Sequence, residues 1–206
     1  MPADQQDLSA LNRLFPVFIK LEEMHVLLVG GGYVGLEKLT AIVQNAPAAK
    51  VTIIAKEVSQ AVRELAAPYS SISIHERPFE SSDLNTVDIV IVAVNDREVS
   101  KDIRAQAKAQ RLLVNVADTP DLCDFYLGSI VQKGSIKIAI STNGKSPTLA
   151  KRLREMFQEV LPATVNDLAE NLQQIRSKLA GNFTDKVEKL NHITSMLIQK
   201  EKDERS

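Results

Sequence analysis

Apolar and polar positions along this chain fall into blocks whose period changes, and each change marks an element. Residues 26–29 are a short, wholly apolar run; glycines follow, and from Tyr33 to Asn45 the apolar positions recur at helical spacing. A second apolar run at 51–55 precedes a helical pattern over 58–65, and residues 72–74 predict a short third strand that Arg77-Pro78 closes. Residues 88–94 are almost wholly apolar and rich in β-branched side chains, which fits a central parallel strand covered on both faces. Asn95-Asp96 ends that run, 98–110 is helical in pattern, and 112–116 reads as the next strand. Ahead of all this, Phe15-Pro16-Val17-Phe18-Ile19 reads as an extended apolar segment, since Pro16 has no N–H for a ladder. Strand and helix in alternation predict a doubly wound parallel sheet with right-handed crossovers.

After Asn115 the pattern changes. Residues 127–132 and 136–141 are two β-rich apolar runs around Lys133-Gly134, which predicts a hairpin outside the parallel sheet and hence a second subdomain. A polar loop, Ser141 to Ser146, leads to Pro147; Ser146 as N-cap and Pro147 at the first helical position predict a helix start. Leu149, Leu153, Met156, Phe157 and Val160 share one face of that helix, and Leu161-Pro162 breaks it. Helical patterns over 163–179 and 185–198, separated by Gly181, and a solvated tail, KEKDERS, complete the chain.

Composition narrows the function classes. Twenty-five basic against 26 acidic residues give a net charge of −1 and no bulk attraction to nucleic acid or to an anionic membrane. No apolar run approaches the ~20 residues of a membrane span, and the opening MPADQQDLSA lacks the basic and apolar regions of a secretory signal. Cys123 is the only cysteine, which excludes an intrachain disulfide and fits a reducing cytoplasm. With Trp absent and aromatics at 4%, a base-stacking platform is not expected. His25, His75 and His192 are scattered and Cys123 stands alone, so no metal site is expected.

The candidate chemistry begins at Gly30-x-Gly32-x-x-Gly35, between a strand and a helix. This is the spacing of a dinucleotide-binding turn: one glycine for the tight turn, one for approach to a pyrophosphate, one for close packing of helix on strand. The phosphates would sit on the helix N-terminus. A ribose-binding acid belongs ~20 residues further on; Glu57 lies slightly late for that role, and Lys56 would instead face a 2′-phosphate, so NAD and NADP both stay open. Asn95, Asp96 and Asp118 end strands on the edge where open α/β sheets bind ligands, although such carboxylates also cap turns and helices. The loop Asn143-Gly144-Lys145-Ser146 has alanine at 139 where a triphosphate loop needs glycine, so ATP is not expected there. A helix N-terminus with Lys145 beside it and Arg152 further along would suit a carboxylate-rich ligand; an ordinary capped helix with a solvated basic face fits equally.

Phe15-Pro16-Val17-Phe18, Val29-Gly30-Gly31-Gly32-x-Val34, Lys38, Ala93-Val94-Asn95-Asp96, Asn115-Val116-x-Asp118, Leu122-Cys123-Asp124-Phe125, Ala139-Ile140-Ser141-Thr142-x-Gly144-x-Ser146-Pro147 and Leu149-Ala150 follow one another in a recognisable order. Together they resemble the precorrin-2 dehydrogenase and sirohydrochlorin ferrochelatase family, the N-terminal module of siroheme synthase, over about residues 15–162. The resemblance implies NAD-dependent oxidation of precorrin-2 to sirohydrochlorin, with Fe²⁺ insertion in some members. It also implies a Rossmann domain, a β-hairpin dimerisation region and a C-terminal helical domain in a homodimer, with the active site between domains. Asp118 then matches the family's catalytic aspartate. Gly30, Gly31, Gly32, Tyr33, Val34, Gly35, Lys56 and Glu57, with Asn95 and Asp96 at the next strand end, would hold NAD. Ser141, Thr142, Asn143, Gly144, Lys145 and Arg152 would line the porphyrinoid site. Tyr33 replaces a residue commonly acidic in the family, and Gly35 replaces a common alanine. A fused uroporphyrinogen methyltransferase is not expected in this chain, so a separate one would supply precorrin-2.

The expected fold is therefore a Rossmann-like doubly wound parallel sheet (residues 1–117), a hairpin dimerisation region (118–147) and a helical domain (148–206). The alternative is a nucleotide-sensing Rossmann regulatory module without chemistry, which needs the glycine turn but neither the segment from Asn115 to Asp118 nor the loop from Ser141 to Pro147.

Overall fold

The computed structural model describes residues 12–178 and 183–194. The polar opening to residue 11, Gly181, the last positions of the expected final helix and the charged tail lie outside the described residues. Two compact units divide between Leu127 and Gly128.

The first unit is a five-stranded parallel sheet: β1 (His25–Gly31), β2 (Lys50–Val58), β3 (Ile72–Glu76), β4 (Ile89–Val92) and β5 (Leu113–Val116), in the order β3-β2-β1-β4-β5. Helices α1 (Tyr33–Asn45), α2 (Gln60–Ala66) and α3 (Arg97–Ala109) connect them. The continuous apolar runs have a direct cause, because alternate residues of one strand feed two different cores. Val26 and Leu28 of β1 pack with Leu39, Ile42, Ile53 and Ile91, while Leu27 and Val29 pack with Ile54, Val90, Ile103 and Val114. Residues 26–29 are at most 3% exposed, and each such side chain contributes about 1.5–3 kcal/mol. The strand order reverses between β1 and β4, so the carboxyl ends of these strands flank the crevice where such sheets bind ligands.

The second unit holds the antiparallel hairpin β6 (Ser129–Lys133) and β7 (Ile136–Ile140), then α4 (Pro147–Val160), α5 (Val165–Lys178) and α6 (Phe183–Thr194). Gly134 turns the hairpin with φ +57°, and Asn166 of α5 closes its tip by accepting from the Ser135 amide (2.7 Å) and hydroxyl (2.9 Å). Ser146 caps α4, its Oγ accepting from the Leu149 amide at 3.1 Å, with Pro147 at the first helical position.

Three details differ from the sequence expectation. Residues 15–19 join no strand, and Phe15 and Phe18 are largely exposed. Val58 belongs to β2 rather than to the following helix, because it pairs with Gly31 and Ser59 caps α2. On α4 only Ala150 is buried; Leu149, Met156 and Val160 of the apolar face are exposed.

One half-buried pair ties the loop after β3. Arg77 donates twice to Asp83 (2.6 and 2.9 Å), and Asp83 also accepts from the Glu80 amide at 2.8 Å. The Arg77 guanidinium, more than the Glu80 N–H, holds the Asp83 carboxyl below its usual range against the opposing effect of burial. A carboxyl with a lowered folded pKa stabilises the fold above its unfolded value, about pH 4, and loses that contribution as pH falls through the folded value. Asp83→Asn should therefore lower the melting temperature at neutral pH and converge on wild type in strong acid. Thermal melts across that range check it, and a pH-independent gap would refute it.

Candidate active site

The turn after β1 is built by what glycine lacks. Gly30 has φ +124°, and a Cβ there would stand 2.2 Å from the Ala93 carbonyl oxygen on the neighbouring strand end. At Gly35 a Cβ would stand 2.2 Å from the Gly30 oxygen, and at Gly31 2.7 Å from the Glu57 oxygen. These three glycines let α1, β2 and the end of β4 close on one another. Gly32 is different, since a Cβ there would meet nothing within 4 Å. It is the N-cap of α1 and has no side chain to cap the helix, and among the described residues no side chain bonds to the helix's first amides. Open space over Gly32 and uncapped N–H groups at the start of α1 are what a pyrophosphate requires, so the residues fit a dinucleotide. Tyr33, the next residue, is 82% exposed, followed by half-buried Val34.

At the end of β2 the register jumps: Val29 faces Ile54, yet Gly31 faces Val58. Four residues of β2 thus match two of β1, and the bulge displaces Lys56 and Glu57, both exposed, from the ladder. Neither makes a side-chain hydrogen bond or ion pair among the described residues. The carboxylate engaged here is Glu76, at the end of β3, which the sequence reading did not single out. It accepts from the Val58 amide at 3.0 Å and from the Arg63 guanidinium. The Val58 N–H first, then Arg63, hold its carboxyl below the usual range.

Asn95 and Asp96 follow β4 on the same sheet edge. Asn95 is exposed, whereas Asp96 caps α3, its Oδ1 accepting from the amides of Glu98 (2.9 Å) and Val99 (3.1 Å). Asp118 ends β5 in the same way, and the Ala117 N–H reaches the Val92 carbonyl at 2.9 Å. The carboxylate of Asp118 is exposed and engages no partner among the described residues, while its backbone holds φ +55°. A left-handed non-glycine residue costs about 1–3 kcal/mol and persists only where its surroundings fix it.

Those surroundings are the segment after the turn. Asn115, 5% exposed, donates from Nδ2 to the Phe125 carbonyl at 2.8 Å and to Cys123 Sγ at 3.6 Å. The Cys123 sulfur accepts from the Val116 amide at 3.3 Å and faces the carbonyls of Val116 (3.1 Å) and Thr119 (3.4 Å) as a donor. Asp124 accepts from the Val114 amide and from Lys108 Nζ, each at 2.9 Å. In sequence Cys123 stands alone; its partners are the Asn115 side chain and backbone atoms of Val116 and Thr119, which composition does not display.

The remaining expected residues lie in the second unit. Ser141 Oγ accepts from the Asn143 amide at 3.1 Å, and Thr142 Oγ1 both accepts from the Ser146 amide (3.3 Å) and donates to its carbonyl (3.1 Å). Asn143 and Gly144 take φ +54° and +73°, which forms a tight loop before α4. Lys145 is exposed beside it. Arg152 is already paired with Glu155 at 2.7 Å, and its guanidinium is the main reason the Glu155 carboxyl is held below the usual range. Among the described residues no three His, Cys, Asp or Glu side chains gather where they could hold a metal ion.

Comparison with known proteins decides the family. The NAD(P)-binding family model NAD_binding_7 matches residues 17–129. The chain belongs to this family. The family of the sirohaem biosynthesis protein central region matches residues 133–159. Siroheme synthase of Pseudoalteromonas atlantica is 36% identical over 169 residues, which cover 82% of this chain and 36% of that protein. Siroheme synthase of Vesicomyosocius okutanii is 38% identical over 172 residues, 84% of this chain and 34% of that protein. The chain thus spans about a third of the length of these curated relatives. Among solved structures, "SirC, precorrin-2 dehydrogenase" superposes with a TM-score of 0.70 at 27% identity, covering 87% of this chain and 89% of that one. The resemblance read from the motifs and the expected fold class are both borne out, and the glycine turn belongs to an NAD(P)-binding domain.

Proposed function

We propose that this chain oxidises precorrin-2 to sirohydrochlorin with NAD⁺. The observation that carries the reading is its likeness, over nearly the whole of both chains, to a solved precorrin-2 dehydrogenase. The dinucleotide lies across Gly30–Gly32, with the first amides of α1 on its phosphates, Val34 and Gly35 in the same turn, and Tyr33, Lys56 and Glu57 at its rim. Glu57, as the carboxylate nearest the expected ribose position, favours NAD over NADP. Asn95 borders the nicotinamide end, and Asp96 acts by fixing the start of α3.

The reaction removes two electrons and two protons from precorrin-2. Bound NAD⁺ supplies the acceptor for the hydride, and the products are sirohydrochlorin, NADH and a proton. Asp118 takes the proton, since its carboxylate has no competing partner among the described residues and its turn fixes its direction. Ser141, Thr142, Asn143, Gly144 and Lys145 bind the carboxylate-rich substrate. With Arg152 paired to Glu155, Lys145 is the stronger cation for that role. If Fe²⁺ is inserted into the product, iron is a substrate and Asp118 is the acceptor of the pyrrole protons.

We further assign the protein to the cytoplasm as a homodimer joined through its hairpin region, with precorrin-2 supplied by a uroporphyrinogen methyltransferase. Among the described residues no helix is long and apolar enough to cross a membrane. The dimer fits the exposed apolar side chains of α4, and a single-chain mass by light scattering would remove it. The function is tested anaerobically with purified protein, NAD⁺ and precorrin-2. NADH and sirohydrochlorin should appear in equal amounts; neither appearing overturns the proposal. Fe²⁺ added to the same cuvette tests for siroheme.

A further inference from the structure

The turn that carries Asp118 is held by a side chain to which the dehydrogenation reading gives no part. We propose that Cys123, seated by the buried amide of Asn115, is a positioning residue that fixes the direction of the Asp118 carboxylate. This rests on the reading of Asp118 as proton acceptor.

The bonds lie on both sides of Asp118. The Val116 amide donates to Cys123 Sγ at 3.3 Å, and the thiol is within reach of the carbonyls of Val116 (3.1 Å) and Thr119 (3.4 Å). One sulfur therefore touches the backbone two residues before Asp118 and one residue after it. Backbone bonds also hold this turn: the Thr119 amide to the Val116 carbonyl at 3.3 Å, the Ala117 amide to the Val92 carbonyl at 2.9 Å and the Leu122 amide to the Thr119 carbonyl at 3.0 Å, with the Thr119 hydroxyl on the Ala117 carbonyl at 3.1 Å. The Leu122 bond reaches the following segment from one side of Asp118 only. The Cys123 side chain ties both sides of Asp118 to that segment, and its own place is set by Asn115 Nδ2, which bonds to it and to the Phe125 carbonyl. A left-handed aspartate needs such a brace, because without one its φ relaxes and the carboxylate swings with the backbone.

The chemistry of the thiol agrees. Burial, the largest cause, pushes it above the ordinary cysteine range. It stays protonated at neutral pH, keeps its S–H for the carbonyls and is a poor nucleophile or metal ligand. Its long C–S bonds reach across the turn, whereas serine's shorter bonds reach only part of it.

The test uses the full chain with Cys123→Ala, Cys123→Ser, Asp118→Asn and the double variant Asp118→Asn/Cys123→Ala. Cys123→Ala should lower kcat for precorrin-2 about tenfold, equivalent to the loss of one or two hydrogen bonds' hold on the turn, with KM and NADH affinity within about twofold of wild type. Cys123→Ser should recover part of the rate. On top of Asp118→Asn, Cys123→Ala should cost nothing more, because residues acting through one another are not additive. Wild-type kcat in Cys123→Ala, or full multiplication of the two effects in the double variant, overturns the proposal. Amide exchange gives an answer independent of turnover. In Cys123→Ala the Val116 and Thr119 amides should exchange about three- to tenfold faster, with those of β1 and α1 unchanged. Unchanged exchange at Val116 and Thr119 overturns the brace. A wild type that exchanges as expected but never oxidises precorrin-2 condemns the dehydrogenase reading instead.

Discussion

Asp118→Asn should keep its affinity for NADH and lose about 10²- to 10⁴-fold in precorrin-2 turnover, the range for removal of a general base. Asparagine has the same shape and tolerates the left-handed φ of +55°, so the turn and the fold should survive. The carboxylate is exposed and has no partner among the described residues, so no buried ion is orphaned by the change. What disappears is the proposed proton acceptor at the carboxyl end of β5, on the sheet edge that carries the glycine turn. The measurement is steady-state kcat and KM under anaerobic conditions, with NADH binding followed separately by its fluorescence. A loss smaller than about tenfold assigns Asp118 to orienting the substrate. An unchanged kcat removes it from the mechanism. A nucleotide-sensing module would show a third pattern, with cofactor affinity retained and no turnover to lose.

The glycine turn predicts the other large effect, as a contrast within one motif. Gly30→Ala should fail to fold or be destabilised by about 3 kcal/mol or more, because it combines a clash with positive-φ strain. The added carbon would stand 2.2 Å from a backbone oxygen, and φ +124° is closed to alanine. Gly35→Ala meets the Gly30 oxygen at the same distance but carries no positive-φ strain, and alanine is the residue common there in the family, so a small shift of α1 should admit it at a lower cost than Gly30→Ala. Gly32→Ala meets nothing within 4 Å and should lose about 1 kcal/mol or less, the difference between glycine and alanine at an N-cap. Its defect should appear in binding, with NADH affinity weakened about tenfold or more because the methyl group takes the place of the phosphate. Thermal melts and NADH titrations separate the two kinds of glycine. Normal NADH binding by Gly32→Ala would mean that the pyrophosphate lies elsewhere, and a wild-type melting curve for Gly30→Ala would contradict the packing account.

Much of this was legible in the residues, and what escaped has a physical reason. The helix from Tyr33 to Asn45 was legible because a glycine turn starts it and its apolar positions keep helical spacing. Ser146 and Pro147 announced α4 through cap chemistry. Val58 was assigned to a helix because periodicity cannot see the pairing with Gly31 that keeps it in the sheet. Asp96 and Asp118 look alike in sequence, each an acid after a strand. Only the positions of the next amides show that one is spent on a helix cap while the other has no partner among the described residues. Cys123 was invisible as a brace because its partners, the Asn115 side-chain amide and backbone groups of Val116 and Thr119, lie four to eight residues away and are brought back by a turn of unusual φ. The exposed apolar face of α4 likewise depends on what packs against it, which no helical wheel records.

On the proposed reading of Glu57 as the ribose-binding acid, the bulge at the end of β2 explains why it comes later than the ~20 residues expected beyond the glycine turn. Two residues of the strand are spent without advancing along its neighbour, so chain length there overstates distance. Because Lys56 and Glu57 are exposed and belong to no ladder, replacing them should shift stability by no more than about 0.5 kcal/mol. The fold places little constraint on which residues stand there. On the proposed role of Lys56 and Glu57, a single substitution there should change the preference for one dinucleotide over another without a compensating change in the core.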